Sequence, residues 1–290
     1  MLFTKADGIL DLRSLEDYKA GHLNNSTWLS INDLPESLNA LPAAPASLYL
    51  VGDKDQIEAA SLLLDSKSYQ VTGSLVIESQ KAMQQWANKL PGLVENGSQS
   101  KTLWSPSLLV KEFVDLIHNQ SLTFGEVDKV GKVVYRPSVL DIGCGGGRDA
   151  IFLAKNRMNV IAIDHEAKVL KRAKALSSLS GTSVKFKCCD IKKQGCLPEQ
   201  QFDLITVVRF LNRDMYDYIK KATRPGGFVL FQTFVEGVEQ FSSPKNPNFI
   251  LGKTELAEVF AGFNIIIDRI DKLNDGRPVL SFIAQKACSQ

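Results

Sequence analysis

The chain has no apolar run that approaches the roughly 20 residues needed to cross a bilayer, so no membrane association is expected. Its first residues, MLFTKADGILDLRS, lack the apolar core of a secretory signal and carry acids too early for a transit peptide. No charge sign dominates. The 34 Lys and Arg against 32 Asp and Glu leave a net charge of +2, which argues against wholesale nucleic-acid binding. The basic group Lys168, Lys171, Arg172 and Lys174 reads as a solvated helix face. Cysteine is missing from the first 143 residues. The five present are Cys144, Cys188, Cys189, Cys196 and Cys288; no pair has CxxC spacing, so no metal site is expected. Reduced thiols in a cytoplasmic (or nuclear) protein are the expectation.

At 290 residues the chain has room for two domains. A seam poor in periodicity and rich in Gly, Asn, Ser and Pro runs from Pro91 to Ser107. The expected organisation is a smaller α/β domain over 1–90, a linker over 91–103 and a second domain over 104–290. In the second domain short apolar strands alternate with amphipathic helices. VVYRPSVLDIG, NVIAIDH, SVKFKCCD, FDLITVVRFL, GGFVLFQTF, FNIIIDRID and RPVLSFIAQKA read as strands. RDAIFLAKN, EAKVLKRAKALSSL, NRDMYDYIKKATR and KTELAEVFAG read as helices. That alternation predicts a largely parallel sheet covered on both faces.

Four glycines occupy the five positions 143–147, between the first of these strands and a helix starting near Arg148. Gly143, Gly145 and Gly147 remove side chains that would hold a ligand off the backbone, and the helix start turns free N–H groups toward the same place. Asp141 lies at the end of the first strand, Asp164 ends the second and Asp190 the third, so all three are expected on one sheet edge, where such sheets bind ligands. Asp141 suits an ammonium group, Asp164 a ribose diol and Asp190 an adenine amino group. A nicotinamide dinucleotide fits less well, because its third fingerprint glycine falls at Arg148.

VLDIGCGGGRDAIFLA, followed in order by Asp164, Asp190, FDLITVVRFL and RPGGFVLFQTF, resembles the class I S-adenosylmethionine-dependent methyltransferases over roughly Trp104 to Ala287. The resemblance implies a seven-stranded Rossmann-like sheet, its last strand antiparallel and inserted between neighbours. It also implies S-adenosylmethionine as cofactor, with the methionine part at Asp141, Gly143, Cys144, Gly145 and Gly147, the ribose at Asp164 and His165, and the adenine at Asp190 and Ile191. Within the superfamily, RFLNR and QTF look most like the small-molecule branch that includes tellurite-resistance and thiopurine methyltransferases.

The first block, DLRSLEDYKAGHLNNSTWLSINDLPESL with SLYLVGDKDQIEAASLLLDSKSYQV, resembles the rhodanese-like domain. That family's chemistry needs a nucleophilic cysteine where this loop reads Val51-Gly52-Asp53-Lys54-Asp55-Gln56, so the block is expected to be catalytically inactive and to serve a protein partner or dimerisation. His22, in a Gly-His turn, reads as structural, and Trp86 as core.

The expected activity is methyl transfer to a small molecule: a thiol, a chalcogen or a related metabolite. Such an acceptor needs alignment and exclusion of water more than a strong base. No catalytic base stands out, and no N/D-PP-Y/F motif follows the fourth strand. Arg209, Phe210, Asn212 and Arg213 stand there instead, an arginine suiting an anionic acceptor. Trp104 is a second candidate at the substrate side, and EGVEQFSSPKNPNF has the length of a lid. Two alternatives remain open: a protein or RNA methyltransferase recruited by the first block, and a non-catalytic cofactor-binding regulator.

Overall fold

The computed structural model describes residues 5–89, 92–124 and 135–288. The chain divides into two compact units, Met1–Ser105 and Pro106–Gln290.

The first unit runs β1 (Gly8–Asp11), α1 (Leu15–Ala20), β2 (His22–Leu23), β3 (Ser26–Trp28), β4 (Ala46–Gly52), α2 (Lys54–Asp65), β5 (Tyr69–Val76), α3 (Gln80–Lys89) and β6 (Val94–Glu95). Its parallel four-stranded sheet has the order β3-β1-β4-β5. Polar groups fasten the turns. Arg13 donates from Nε to Asp11 Oδ1 (3.0 Å) and from Nη2 to Asp11 Oδ2 (2.7 Å) and the Gly21 carbonyl (2.8 Å), all buried. His22 is buried, stacked on Tyr18 at 3.8 Å, and its Nδ1 donates to the Tyr18 carbonyl. Asp53 caps α2: it accepts the Gln56 N–H at 2.8 Å while Gln56 accepts the Asp53 N–H. Its acid is thus explained by helix initiation.

Two expectations change here. The stretch expected as a linker belongs to this unit: β6 pairs with β2, and the Lys101 N–H donates to the Ser26 carbonyl, because extended backbone beside unpaired strand groups gains hydrogen bonds there. Trp86 is 37% exposed on the strongly amphipathic α3, so it is not a core residue.

The second unit runs α4 (Leu108–His118), β7 (Ser138–Ile142), α5 (Arg148–Lys155), β8 (Asn159–Asp164), α6 (Ala167–Leu179), β9 (Lys185–Cys188), β10 (Phe202–Val208), α7 (Tyr216–Ala222), β11 (Thr223–Phe234), α8 (Glu255–Val259), β12 (Phe263–Lys272) and β13 (Pro278–Lys286). Val133 and Val134, expected to open β7, lie outside the described residues. The sheet has seven strands in the order β12-β13-β11-β10-β7-β8-β9, with β13 antiparallel to both neighbours. Strand β10, FDLITVV, is buried at every position, as a central strand covered on both faces must be. One face packs Phe202, Phe231, Phe260 and Phe282 with α7 and α8. The other packs Phe113, Phe124 and Phe228 edge-to-face beneath α4.

The helix expected over Asn212–Arg224 is shorter. A 3₁₀ turn, Arg213–Met215, leads into α7, and β11 already begins at Thr223. Pro225 is tolerated because the ladder with β10 jumps from Phe202–Thr223 to Leu204–Phe228, leaving the proline in an irregularity that needs no N–H.

Candidate functional site

Because β7, β8 and β9 are neighbours, their carboxyl ends bring Asp141, Asp164 and Asp190 to one edge of the sheet. Asp164 closes β8, whereas β9 stops at Cys188 and Asp190 follows in the loop. The glycine turn bends over the end of β8: the N–H groups of Gly143 and Cys144 both donate to the Ile163 carbonyl, at 2.9 and 3.0 Å. The Gly145 N–H donates to Asp164 Oδ2 at 2.9 Å, and Asp164 Oδ1 accepts the Glu166 N–H at 3.0 Å. The second acid is therefore held by its own loop and by the glycine turn together.

The three glycines separate into three physical roles. All have positive φ (72°, 52° and 78° for Gly143, Gly145 and Gly147), which suits glycine above other residues. A Cβ on Gly147 would stand 2.9 Å from the Ala173 methyl and 3.2 Å from Phe186, so this glycine lets α5 approach α6 and β9 and does not face a ligand. A Cβ on Gly143 would collide with Phe210 at 2.6 Å, so the space expected for a ligand is shared with an aromatic ring. At Gly145 nothing lies within 4 Å, and there the bare backbone faces open space. Cys144 is half-buried, its Sγ turned toward the Gly145 carbonyl, and burial raises its thiol well above the usual range.

Asp141 is 2% exposed. Its Oδ1 accepts from Thr206 Oγ1 at 2.9 Å, while Oδ2 is buried without a hydrogen-bond partner. Burial above all, with Asp149 and Asp164 nearby, pushes its pKa up to about 8, against the Thr206 hydrogen bond. A cation placed at Oδ2 would favour the ionised form and oppose that rise. Asp149, in the first turn of α5, was not expected to matter. It is buried, accepts the Ser107 N–H at 2.6 Å at the start of α4, and is raised by burial while Ser107 and Arg209 oppose the shift. Its place as the second residue of α5 is legible in the sequence, but its burial is not.

A crevice of about 780 Å³ opens on this edge. Gly143, Asp164, His165, Asp190 and Ile191 line it, with the Phe210 ring against Gly143. Its far end is built by Leu211, Asn212, Arg213 and Asp214 from the segment after β10, and by Asn248 and Phe249 from the segment after β11. His165 is 77% exposed at the mouth, its Nδ1 3.5 Å from Asp164. Cys189 also lines the crevice and is bonded to Cys196, with 5.7 Å between Cα atoms, so the expectation of five free thiols is corrected. The Asp190 loop turns back on itself, its Cys196 N–H donating to Lys193, and this brings the two sulfurs together.

Arg209 follows β10 with a left-handed φ of 53°, exposed, its N–H on the Gln232 carbonyl; its side chain is not among those lining the crevice. Trp104 is buried and belongs to the first unit, whereas the crevice belongs to the second. Arg213 does line the crevice, but its guanidinium is already bound: Nε and Nη2 each donate to Glu255 at 2.8 Å, and Nη2 reaches the Ile250 carbonyl at 2.9 Å. The sequence pattern offers it to an anionic acceptor, but its partner lies 42 positions downstream, beyond any local pattern.

Residues 139–227 match the family model described as a methyltransferase domain. An uncharacterised protein of Schizosaccharomyces pombe, UNK4.09, is 24% identical, over 96% of this chain and 93% of its own length. The ubiquinone biosynthesis O-methyltransferase of Nitrosospira multiformis is 28% identical over 45% of this chain, which spans 55% of that protein's length. Among solved structures, TehB from Haemophilus influenzae aligns at 19% identity with a TM-score of 0.45, covering 61% of this chain and 67% of TehB.

A glycine turn and acids on one edge of a seven-stranded sheet, within a matched methyltransferase domain, define the class as an α/β methyltransferase. The second unit therefore carries a methyltransferase domain over residues 139–227. Among the described residues, no helix is long and apolar enough to cross a membrane.

Proposed function

We propose that the enzyme methylates a small molecule, a thiol, chalcogen or related metabolite, and that the crevice at the carboxyl edge holds both cofactor and acceptor. The observation that carries the cofactor assignment is that Gly143, Asp164, Asp190 and Ile191 line one crevice; Asp141 lies outside that lining, its unpartnered Oδ2 buried two residues before Gly143, and we assign it to the ammonium of an amino-acid tail. Asp164, already fixed by two backbone N–H groups, keeps lone pairs for a ribose diol, and Asp190 with Ile191 would meet the adenine. When bound, S-adenosylmethionine would supply a methyl carbon activated by a sulfonium, to be taken by the acceptor's lone pair with the C–S pair left on sulfur and the acceptor's proton lost to solvent. The chain's own contribution is alignment and exclusion of water, by Phe210 and Phe249 on the crevice walls. The crevice volume is in the range of small-molecule sites. That the curated relatives with named acceptors act in ubiquinone biosynthesis supports a small acceptor as well.

We read the first unit as a rhodanese-like module without sulfur-transfer chemistry, in a cytoplasmic protein, serving a protein partner or dimerisation. No cysteine precedes Cys144, and Asp53 in the corresponding loop is committed to capping α2. The test of the main reading is mass-spectrometric detection of methyl gain across a panel of thiols, selenols and phenols. Methylated product dependent on S-adenosylmethionine, and lost in Asp164→Ala, is expected. A well-folded protein that binds the cofactor but methylates no small molecule, while copurifying RNA or protein gains methyl groups, would reverse it.

A further inference from the structure

The far end of the crevice has a chemical character of its own. Its apolar surface comes from Phe210, Leu211 and Phe249. Three carboxylates line the whole crevice, Asp164, Asp190 and Asp214, against Lys192 and Arg213. The Arg213 charge is spent on Glu255, which also accepts from Tyr216 Oη at 2.6 Å and from the Gly252 N–H at 3.0 Å. Burial works against the Glu255 charge, but the Arg213 and Tyr216 hydrogen bonds hold the carboxyl below its usual range. The acid therefore stays ionised and the pair stays made at neutral pH. An anionic body entering this crevice meets net negative charge and no uncommitted arginine on its walls.

The same guanidinium fixes a wall. Arg213 donates from Nη1 to the Asn248 carbonyl at 3.3 Å and from Nη2 to the Ile250 carbonyl at 2.9 Å, gripping the backbone on both sides of Phe249. Phe249 is 52% exposed and lines the crevice, so its ring is open to contact by a molecule bound there. The guanidinium spreads its donors over three nitrogens, so it meets the carboxylate with two of them while reaching both carbonyls; an ammonium has its three donors on one nitrogen and no bidentate face.

We infer that the acceptor has an apolar, aromatic body with no anionic group beyond its nucleophile, packed against Phe210 and Phe249, and that Arg213 is a positioning residue that holds Phe249 in place and does not bind an acceptor anion. This rests on the reading of the crevice as the methyl-transfer site.

The experiment compares benzyl mercaptan with 4-(mercaptomethyl)benzoate, which share a nucleophile and differ by a carboxylate. Binding to the protein saturated with S-adenosylhomocysteine is measured by calorimetry, and methylation is measured with S-adenosylmethionine. Benzyl mercaptan is expected to bind, and to exceed the carboxylated analogue about tenfold in kcat/KM, about 1.4 kcal/mol. Phe249→Ala is expected to raise its Kd and KM roughly tenfold, with cofactor affinity unchanged within about twofold and Phe249→Trp near wild type. Arg213→Lys and Glu255→Gln should raise the same KM with kcat nearly constant, with melting temperatures recorded alongside. The inference is overturned if neither compound binds, if the carboxylate is accepted equally, if Phe249→Ala leaves Kd unchanged, or if Arg213→Lys selectively loses the carboxylated compound. Phe249-dependent binding without any methylation leaves the pocket assignment standing and removes the proposed reaction. Methylation of the anionic compound alone does the reverse.

Discussion

Asp141→Asn tests the electrostatics of the cofactor site directly. The amide is nearly isosteric and keeps an oxygen for Thr206 but removes the charge. Asp141 rises from 3.8 to about 8, so its carboxylate is disfavoured in the ligand-free fold by on the order of 6 kcal/mol, an upper bound, at pH above 8. A raised acid contributes stability that is complete below the unfolded pKa and is lost as pH climbs through the folded one. Wild-type stability should therefore fall, relative to Asp141→Asn, from about pH 4 to about pH 8, and run parallel above it. Binding reverses the balance, because a cofactor ammonium at Oδ2 favours the carboxylate. At pH 6.5 a group with a pKa near 8 is almost fully protonated, and an α-amino group (about 7.8) is already charged, so each cofactor bound should release about 0.9 proton. Calorimetry in buffers of different ionisation enthalpy reads that number. Asp141→Asn should lose the release and weaken S-adenosylmethionine by roughly 10- to 100-fold, the worth of a charge-assisted hydrogen bond. Unchanged affinity with undiminished proton release in the variant would refute the assignment of Asp141 to the ammonium.

Thr206→Val removes the hydrogen bond that restrains Asp141, so the pH at which cofactor affinity reaches half its maximum should move upward in binding curves measured from pH 6 to 9. Asp164→Ala frees the Gly145 and Glu166 N–H groups as well as any ribose contact; cofactor affinity should drop at least tenfold, with faster amide exchange across 143–147. Gly147→Ala places a methyl against Ala173 at positive φ and should cost about 1–3 kcal/mol in denaturant unfolding; Ala173→Gly should restore part of it by clearing the space, and no recovery would point to backbone strain alone. Asp203→Ala should destabilise by a similar 1–3 kcal/mol or so without altering cofactor Kd, since this buried acid holds Arg224 and the Ser138 N–H at the opposite end of the sheet.

The sequence by itself determined the order of strands and helices in the second unit, the glycine turn and the gathering of three acids at or just beyond the carboxyl ends of neighbouring strands. These are local: apolar runs of strand length, capping residues and φ-permissive glycines act within a few positions, and a parallel α/β alternation leaves one edge on which strand-terminal acids can meet. Tertiary structure decided which of those residues face open space. Gly147 turned out to serve helix packing and Gly143 to lie under Phe210, because what fills the space over a glycine comes from strands remote in sequence. It likewise decided that Arg213 is committed to Glu255, that Asp149 is buried beside Asp141, and that Cys189 meets Cys196. Burial and pairing depend on what the rest of the chain packs against a side chain, and no window along the sequence contains that information.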